Sequence, residues 1–307
     1  MKQQQNAEKN MFAQYFAANV APLIEENNKL KENYRSRFWG CLWTMMFLIC
    51  VNALFVLFNT LIYFHPFNIE QLILVTIIAI LIVIFPLWQY KKKEKPDFLD
   101  VFVKYYGQWQ HIMPGEKENV KSFDEILPEH SAQQVFHAVN GAYLGTKIKI
   151  EDVEYWQKSK KVSKGVYIEV LWPQNMHSSI LLFAKNGYFR KNRRDNMTLL
   201  NEQILIPAAA YFNIFAKQAK APKKFLCSPF FEKVLDLRDA FGARKIYLSL
   251  QGDKTIIYME GSQMYVEQNG IWQHKIKESK FNLLHKQFSE VLGFIELLHE
   301  LYARDRL

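Results

Sequence analysis

The sequence contains little cysteine, with three such residues among 307. Cys41 and Cys50 fall in one apolar segment and Cys227 lies far from both, so no pair is suitably placed for a disulfide framework or a metal-binding knuckle. This pattern fits a reducing compartment. We interpret Cys227 as structural, since free cysteine usually behaves as a small buried apolar residue.

Motifs typical of enzymes are missing as well. The sequence has no glycine-rich phosphate loop followed by Lys-Ser/Thr, no GxGxxG, no GxSxG and no His-Glu-x-x-His. Asp236 and Asp239 could share a helix face, but pairs at this spacing are common on solvated, salt-bridged helices. We therefore predict no catalytic residue, no metal and no cofactor. The alternative is a membrane-tethered enzyme whose catalytic residues assemble from distant positions and act on a phosphorylated or lipid substrate.

Formal charge is almost absent between Arg37 and Lys91, where Glu70 is the single ionised residue. A bilayer core about 30 Å thick is crossed by roughly 20 apolar residues in a helix. The runs on both sides of Glu70 are long enough, which predicts two membrane spans at about 39–64 and 72–90. Residues 1–37 are mostly polar, so we expect an uncleaved anchor rather than a secretory signal peptide.

Positive charge flanks the predicted spans on one side only. Short flanks rich in Lys and Arg stay in the cytoplasm. The connector 65–71 has neither residue type, whereas the outer flanks carry Lys29, Lys31, Arg35, Arg37, Lys91, Lys92, Lys93 and Lys95. We predict a hairpin with both chain termini in the cytoplasm. The flank 91–95 is interpreted as a stop-transfer signal, with a specific acidic-lipid site as the alternative.

Helical periodicity marks the segments on both sides of this hairpin. Residues 7–37 carry an apolar stripe that Pro22 interrupts. The stripe consists of Phe12, Phe16, Val20, Leu23, Leu30, Tyr34 and Phe38. We expect it to pack on a partner helix or to lie at the membrane interface. Further along, the pattern predicts a helix at 97–109, a loop at 111–127 and a short helix at 128–139.

Beyond residue 145 the periodicity changes to the alternation that is typical of half-buried strands. Segments 147–150 and 166–170 alternate in this way. A third segment, 178–184, ends shortly before an Asn-Gly pair, which favours a hairpin. We predict an antiparallel meander over 146–192.

The segment that follows has a clear helix signature. Residues 204–219 predict either a strand followed by a helix or a helix alone. Ser228 and Pro229 then predict a helix start, because serine caps helix N-termini and proline suits the first helical position. The helix should run over 230–241 and end at Gly242.

A second hairpin and a long helix close the chain. Segments 245–250 and 255–260 predict paired strands, and 264–267 a third one. Residues 279–304 predict a helix with an apolar seam of Phe281, Leu284, Phe288, Val291, Ile295, Leu298 and Tyr302. We interpret the seam as packing on the sheet of its own domain. The alternative is a contact with a partner helix.

Positive charge is concentrated in the middle of the soluble part. Residues 158–224 contain 13 Lys and Arg against three Asp and Glu. The densest positions lie in two predicted turns, formed by Lys158, Lys160, Lys161, Lys164 and by Arg190, Lys191, Arg193, Arg194. Both turns flank strands of the predicted meander and could meet at one end of it. A solvated basic surface, a site for anionic lipid and a site for an acidic partner all fit. Nucleic acid fits poorly, because no helix-turn-helix or RNA-motif aromatic pattern accompanies the charge.

Two parts of the chain resemble a bacterial family of two-span membrane proteins. They are Gly145-Thr146-Lys147-Ile148-Lys149-Ile150 and the stretch 225–260, with its Cys-Ser-Pro-Phe-Phe-Glu-Lys-Val-Leu-Asp-Leu-Arg run before a strand pair. The family is catalogued as domain of unknown function 3137. The resemblance implies an N-terminal helix, a membrane hairpin and a proline-capped helix before a β-hairpin, in a bacterial inner membrane. It implies no activity and no site residues.

These observations predict an α+β chain in three parts. An N-terminal cytoplasmic helix (1–37) leads into a transmembrane hairpin (38–90), and a cytoplasmic domain (97–307) combines antiparallel strands with a long C-terminal helix. We predict a membrane-anchored binding or scaffolding protein without catalysis, whose partners are membrane lipid and a protein partner or a second copy bound through helices. Besides the enzyme, a subunit of an inner-membrane transport or secretion assembly is an alternative.

Overall fold

The computed structural model describes residues 10–63, 69–93, 97–112, 118–119, 126–174, 179–185, 197–201, 204–216, 225–264 and 275–303. The chain divides into two compact units. Unit 1 comprises residues 1–98 and 267–277, and unit 2 comprises 99–266 and 278–307. The fold class is α+β, as predicted: a long N-terminal helix, an antiparallel sheet and a C-terminal helix.

Unit 1 begins with a helix that passes through Pro22 without ending. A π-helical turn, Phe16–Val20, leads directly into α1, Ala21–Tyr63. Proline lacks an N–H and clashes with the carbonyl four residues earlier. A wide π-helical turn immediately before Pro22 relieves both constraints, so the helix continues.

The first three residues of the N-terminal stripe are buried within this chain, and the other four are half-buried. The expectation was that the stripe packs on a partner helix or lies at the membrane interface. Phe12, Phe16 and Val20 are 3%, 6% and 0% exposed. The buried row then continues at Ile24 and not at Leu23. A π-helical turn adds a residue to the helix, which moves the buried face by one position.

A short return segment of the chain packs on the N-terminal helix. The Asn28 side chain donates a hydrogen bond to the Ile276 carbonyl (3.5 Å) and accepts one from the Ile276 N–H (3.2 Å). Lys275 forms an ion pair with Glu32. Residues 275–277 therefore belong to unit 1, although α5 of unit 2 (defined below) begins at the next residue.

Two helices of unit 1 are long and apolar enough to cross a membrane. They are α1 and α2, Ile69–Lys92. The predicted spans lie within them, except for residue 64, which is outside the described residues. None of the most apolar 18-residue stretch of the first helix is buried, and 17% of that of the second is buried.

The described strands of unit 2 form one antiparallel sheet. They are β1 (Gln110–Ile112), β2 (Glu118–Asn119), β3 (Ala132–Tyr143), β4 (Thr146–Gln157), β5 (Lys160–Leu171), β6 (Ser179–Ala184), β7 (Thr198–Leu199), β8 (Phe212–Ala216), β9 (Lys245–Gln251) and β10 (Lys254–Glu260). Their order across the sheet is β1-β3-β4-β5-β10-β9-β6-β8-β7, with β2 beside β3.

The region before β4 corrects three predictions. The predicted helix at 128–139 is wrong, because β3 pairs with β4 along its whole length and this pairing overrides the helical propensity of alanine and glutamine. The predicted loop at 111–127 is wrong where β1 and β2 form. The predicted helix at 97–109 is shorter: α3, Phe98–Val103, is followed by a 3₁₀ turn that ends at Gly107 with φ of 100°.

The predicted meander is correct for β4 and β5 but not beyond them. β5 pairs with β10, and β6 pairs with β8 and β9. Alternation identifies strands but not their partners, and these pairings join segments distant in sequence. The helix predicted within 204–219 is wrong, because a 3₁₀ turn at Pro207–Tyr211 precedes β8. The β9–β10 hairpin is confirmed. Met264 is not in a strand, and 265–267 are outside the described residues.

The helix predicted at 230–241 is confirmed as α4, Ser228–Ala240. Its capping differs from expectation. Cys227 holds the cap position, and the Ser228 hydroxyl donates to the Glu232 carboxylate (2.6 Å). Gly242 has φ of 58°, as expected of a residue that ends a helix.

The C-terminal helix, α5 (Glu278–Ala303), confirms the buried seam. Its seam residues from Phe281 to Leu298 are at most 3% exposed, and Tyr302 is half-buried. The ring centre of Phe288, in the seam, lies 5.4 Å from that of Phe102 on α3. Phe294, beside the seam, has its ring centre 6.1 Å from that of Phe230 on α4.

The sheet is buried on both faces. Alternating residues of each strand point to opposite sides. One face lies towards α4 and α5, where Trp172 and Thr146 contact His299. The other face holds an aromatic core in which Tyr258 contacts Tyr155 (5.4 Å) and Tyr247 (6.0 Å).

Candidate anion-binding turn

The first predicted basic turn joins β4 to β5 and is anchored by Ser131. The Lys158 N–H donates to the Ser131 hydroxyl (3.0 Å), and the Ser131 N–H donates to the Trp156 carbonyl (2.7 Å). Lys158 has φ of 56°, a left-handed conformation that closes the two-residue turn. These two hydrogen bonds fix the backbone of the turn relative to β3, so the turn holds the backbone positions of its lysines in place.

The turn stands beyond the neighbouring strand. The last ladder pair between β5 and β10 joins Gly165 to Glu260, and the Gly261 N–H still donates to the Lys164 carbonyl (2.8 Å), so residues 160–163 continue past β10. At about 3.3 Å per residue this extension is roughly 13 Å long. On the other side, β4 stays paired with β3 as far as Trp156 and Ala132. The lysines therefore sit at the tip of a three-stranded arm.

The structure places the four lysines of this turn together but not as four equal charges. Lys158, Lys160 and Lys161 are exposed and Lys164 is half-buried. Lys161 forms an ion pair with Glu154 (2.9 Å), a carboxylate on a residue that is 8% exposed. Within the part of the chain that the structure describes, the other three lysines form no ion pair. Lys161 is therefore paired, and the other three lysines have no described carboxylate within ion-pair distance.

The second basic turn, formed by Arg190, Lys191, Arg193 and Arg194, lies outside the described residues. The strand directions show at which end of the sheet β6, the strand before this turn, comes to its end. β6 runs opposite to β5, because each of the three steps from β5 through β10 and β9 to β6 is antiparallel. The end of β6 and the start of β5 therefore share one end of the sheet. A meeting of the two turns stays a prediction.

Sequence reasoning missed the acidic residues beneath the lysines. Glu151, Asp152 and Glu154 are buried on β4, at 6%, 2% and 8% exposure. Asp152 accepts a hydrogen bond from the Met264 N–H (2.7 Å), and Lys149 pairs with Glu151 (2.8 Å). The three acidic residues within one alternating segment were the sequence signal that could have indicated these buried acids. No group of three His, Cys, Asp or Glu among the described residues could hold a metal ion. The salt-bridged face predicted for α4 is confirmed by the Arg238–Asp239 ion pair (2.7 Å).

Two histidines of α5 are hydrogen-bonded in partly buried positions. His285 Nδ1 lies 2.6 Å from the Tyr106 hydroxyl, and His299 Nε2 lies 2.9 Å from the Thr146 hydroxyl. Burial lowers the pKa of both imidazoles from the ordinary value of 6.5, because it disfavours the charged form. The folded state therefore prefers neutral histidine at both positions.

Acidification should consequently weaken unit 2. The unfolded chain binds protons at these sites below pH 6.5 more readily than the folded chain does. Stability is complete above that pH and should fall as the pH drops from 6.5 towards the lowered folded pKa values. Urea unfolding of fragment 97–307, measured at several pH values, tests this. The H285Q/H299Q variant should show a shallower fall, and an equally steep fall would contradict the assignment.

Taken together, the fold defines a chain with two helices of membrane-spanning length and apolarity and an α+β unit that carries a basic arm. No family model matches the sequence, and no curated protein matches it. Among solved structures, the chain is similar to the crystal structure of the mycobacterial trehalose monomycolate transport factor A, TtfA, at 9% identity. That likeness covers 64% of this chain and 91% of the other, with a TM-score of 0.36. No functional inference rests on a likeness of this size. The resemblance to domain of unknown function 3137 stays a prediction.

Proposed function

We propose that the protein is a non-catalytic, membrane-anchored binding or scaffolding protein whose α+β unit faces the cytoplasm. Its basic arm contacts an anionic lipid surface or an acidic protein. The observation that carries the proposal is the exposed apolar surface of α1 and α2, considered together with the charge on their flanks.

The exposed apolar side chains are concentrated in one region. Among the described residues, twenty large ones lie from Trp39 to Trp88, including Trp43 (67% exposed) and Phe47 (68%), whereas the described part of unit 2 has seven. Water-soluble proteins rarely expose contiguous apolar patches larger than a few hundred Å². Helices of a soluble core are mostly buried, and these two are not. A lipid environment accounts for this surface.

The charge on the flanks supports the orientation. All eight Lys and Arg in the short flanks lie on the side of the termini, and the connector 65–71 has none. Trp39 and Trp88 are half-exposed close to those flanks, at 48% and 50%. Tryptophan is enriched at membrane interfaces. Both features favour a hairpin with the termini and unit 2 on the cytoplasmic side of a bacterial inner membrane.

Cysteine labelling in whole cells should confirm this topology. In a variant lacking Cys41, Cys50 and Cys227, an N68C substitution should react with a membrane-impermeant maleimide from outside. An S159C substitution, at an exposed position of the basic turn, should react only after the membrane is permeabilised. Labelling of residue 159 in intact cells would contradict the orientation.

Fragment 97–307 should bind vesicles that contain anionic lipid and ignore neutral ones. Basic residues near an anionic surface gain roughly 1 kcal/mol each. Binding should weaken with salt, since exposed charges are screened over about 8 Å at physiological ionic strength. Replacing all eight residues of the two basic turns by glutamine should abolish binding in a flotation assay.

A matched pair of variants tests whether the basic turn is the surface that binds anionic vesicles. K158Q/K160Q removes two charges from the tip of the arm. K147Q/K254Q removes two from the opposite end of the sheet, on β4 and β10 level with Leu171 of β5, where Lys254 pairs with Glu169 (3.4 Å). The first should weaken binding and the second should not. Equal loss in both variants, or binding to neutral vesicles, would leave the turn as an ordinary solvated surface. Binding to neither vesicle would favour the acidic protein partner.

A further inference from the structure

Two histidines from neighbouring strands face each other at the edge of the sheet. His111 Nε2 lies 3.3 Å from His137 Nδ1, and the ring centres are 5.5 Å apart, so the rings meet edge to edge through these two nitrogens. His111 lies on β1, an edge strand of the described sheet, and is half-buried. His137 lies on β3 and is 7% exposed. The pair can therefore be reached from the sheet edge, although most of its surface is inside the fold.

A β-bulge in β3 directs His137 towards His111. Val135 and His137 are two residues apart on β3, but their ladder partners are neighbours on β4. Without the extra residue, His137 would share the face of Val135, which packs against the aromatic core. With it, His137 points to the other face and shares it with Val139, the ladder partner of His111. Bulges of this kind re-aim side chains and are over-represented beside active sites.

The separation of the two nitrogens matches a tetrahedral zinc site and is long for a direct hydrogen bond. Hydrogen bonds from N–H donors usually measure about 2.7–3.2 Å. Two nitrogens bound to tetrahedral zinc lie about 3.3–3.4 Å apart, whereas a right angle at the same bond length gives about 2.9 Å. The observed distance is 3.3 Å. Neither ring must change its charge, because a neutral imidazole carries its proton on one nitrogen and offers a lone pair at the other.

A buried carboxylate lies next to the histidine pair. Asp152 is 2% exposed and directly opposite His137 in the β3–β4 ladder, where facing Cβ atoms are about 4.5–5.5 Å apart. It accepts a hydrogen bond from the Met264 N–H (2.7 Å). The Gln263 carbonyl, in the same peptide group, accepts one from the Gln287 amide (3.5 Å). These contacts hold a carboxylate beside the two imidazoles, which favours a divalent cation there.

We propose that His111 Nε2 and His137 Nδ1 bind a zinc ion that links the edge strand β1 to β3. Imidazole nitrogen is a preferred ligand of zinc. Two ligands come from the described chain, and water completes the tetrahedron on the open side of β1. The sequence predicted no metal, and the two histidines are 26 positions apart, so the strand pairing alone brings them together. The inference does not depend on membrane insertion, since both ligands lie in unit 2.

The test uses the full chain in mild detergent, without a histidine tag and after treatment with EDTA. Titration calorimetry should show saturable binding of zinc, and cobalt(II) in its place should give the strong visible absorption of a tetrahedral complex. H111Q and H137Q should each weaken zinc binding by roughly tenfold or more, because even groups behind the ligands contribute that much. H111Q changes a half-buried position on an edge strand, so its fold should be retained, as circular dichroism checks.

H285Q/H299Q is the matched control. It also removes two histidines, both on α5 and hydrogen-bonded to hydroxyl groups, and it should bind zinc as the wild type does. Zinc should raise the melting temperature of the wild type and of this control but not that of H111Q, since a ligand of the folded state stabilises it. Equal affinity in H111Q and the wild type, or loss of binding in H285Q/H299Q, would overturn the site. Absence of saturable binding, or the weak absorption of octahedral cobalt(II), would leave the two histidines as a hydrogen-bonded pair only.

Discussion

Replacing Leu284 by aspartate should unfold unit 2, whereas the same replacement at the neighbouring Leu283 should not. Leu284 is 3% exposed within the seam of α5, and Leu283, about 100° around that helix, is 50% exposed. Burying a carboxylate without a partner costs several kcal/mol, and the lost leucine packing adds roughly 2–5 kcal/mol. Domains are commonly stable by about 5–15 kcal/mol, so the sum is sufficient to unfold one.

Urea titration of fragment 97–307, followed by near-ultraviolet circular dichroism, measures this difference. Ile295 is fully buried about three turns further along α5, so I295D should behave as L284D does. The seam residues from Phe281 to Leu298 are already buried within a single chain, so the partner-helix alternative for this seam is wrong. Equal stability of L284D and L283D would contradict the burial of Leu284.

The second large effect is expected from Gly165→Ala, in the middle of the sheet. A Cβ atom at Gly165 would lie 2.2 Å from the backbone oxygen of Met259 and 2.9 Å from the Tyr258 ring. The oxygen belongs to β10, which is paired on both sides and cannot move without disturbing two ladders. Overpacking of this kind typically costs 1–3 kcal/mol, and contact with rigid backbone places this variant at roughly the upper end of that range.

Gly293→Ala is the matched control. A Cβ atom there would meet only the flexible end of Lys233, whose Nζ is 3.0 Å away. Alanine in a helix interior is favoured over glycine by up to about 1 kcal/mol. G293A should therefore be neutral or stabilising in the same urea titration. A G165A variant as stable as G293A would contradict the close approach of β5 and β10.

Local signals in the sequence were sufficient for the parts of the fold that are local. Alternation identified β4 and β5, the proline and glycine positions identified α4, and the heptad seam identified α5. β3 was misassigned because its alanines and glutamines carry no alternation, and only its pairing with β4 makes it a strand. The partners of β5 and β6 could not be read from the sequence, since each pairs with strands far along the chain.

The candidate site was likewise predictable from the sequence only where the signal is local. Lys158, Lys160, Lys161 and Lys164 were identified from local charge density, and the turn that groups them is a two-residue connection. The partner of Lys161 was not identified, because Glu154 lies on the adjacent strand β4. Whether the two side chains meet depends on the register between β4 and β5. The contact between Tyr34 and Tyr90 could not be predicted either, since it depends on the axial offset between α1 and α2.

The pairing of β5 with β10 also has a consequence for synthesis. A ribosome adds about 5–20 residues per second, so the roughly 80 residues between the end of β5 and the start of β10 take about 4–16 s. During that interval β4 already covers one side of β5, and the other side presents unpaired N–H and C=O groups to neighbouring chains. Expression conditions that crowd nascent chains should therefore lower the yield through this temporary edge, whatever the stability of the finished protein.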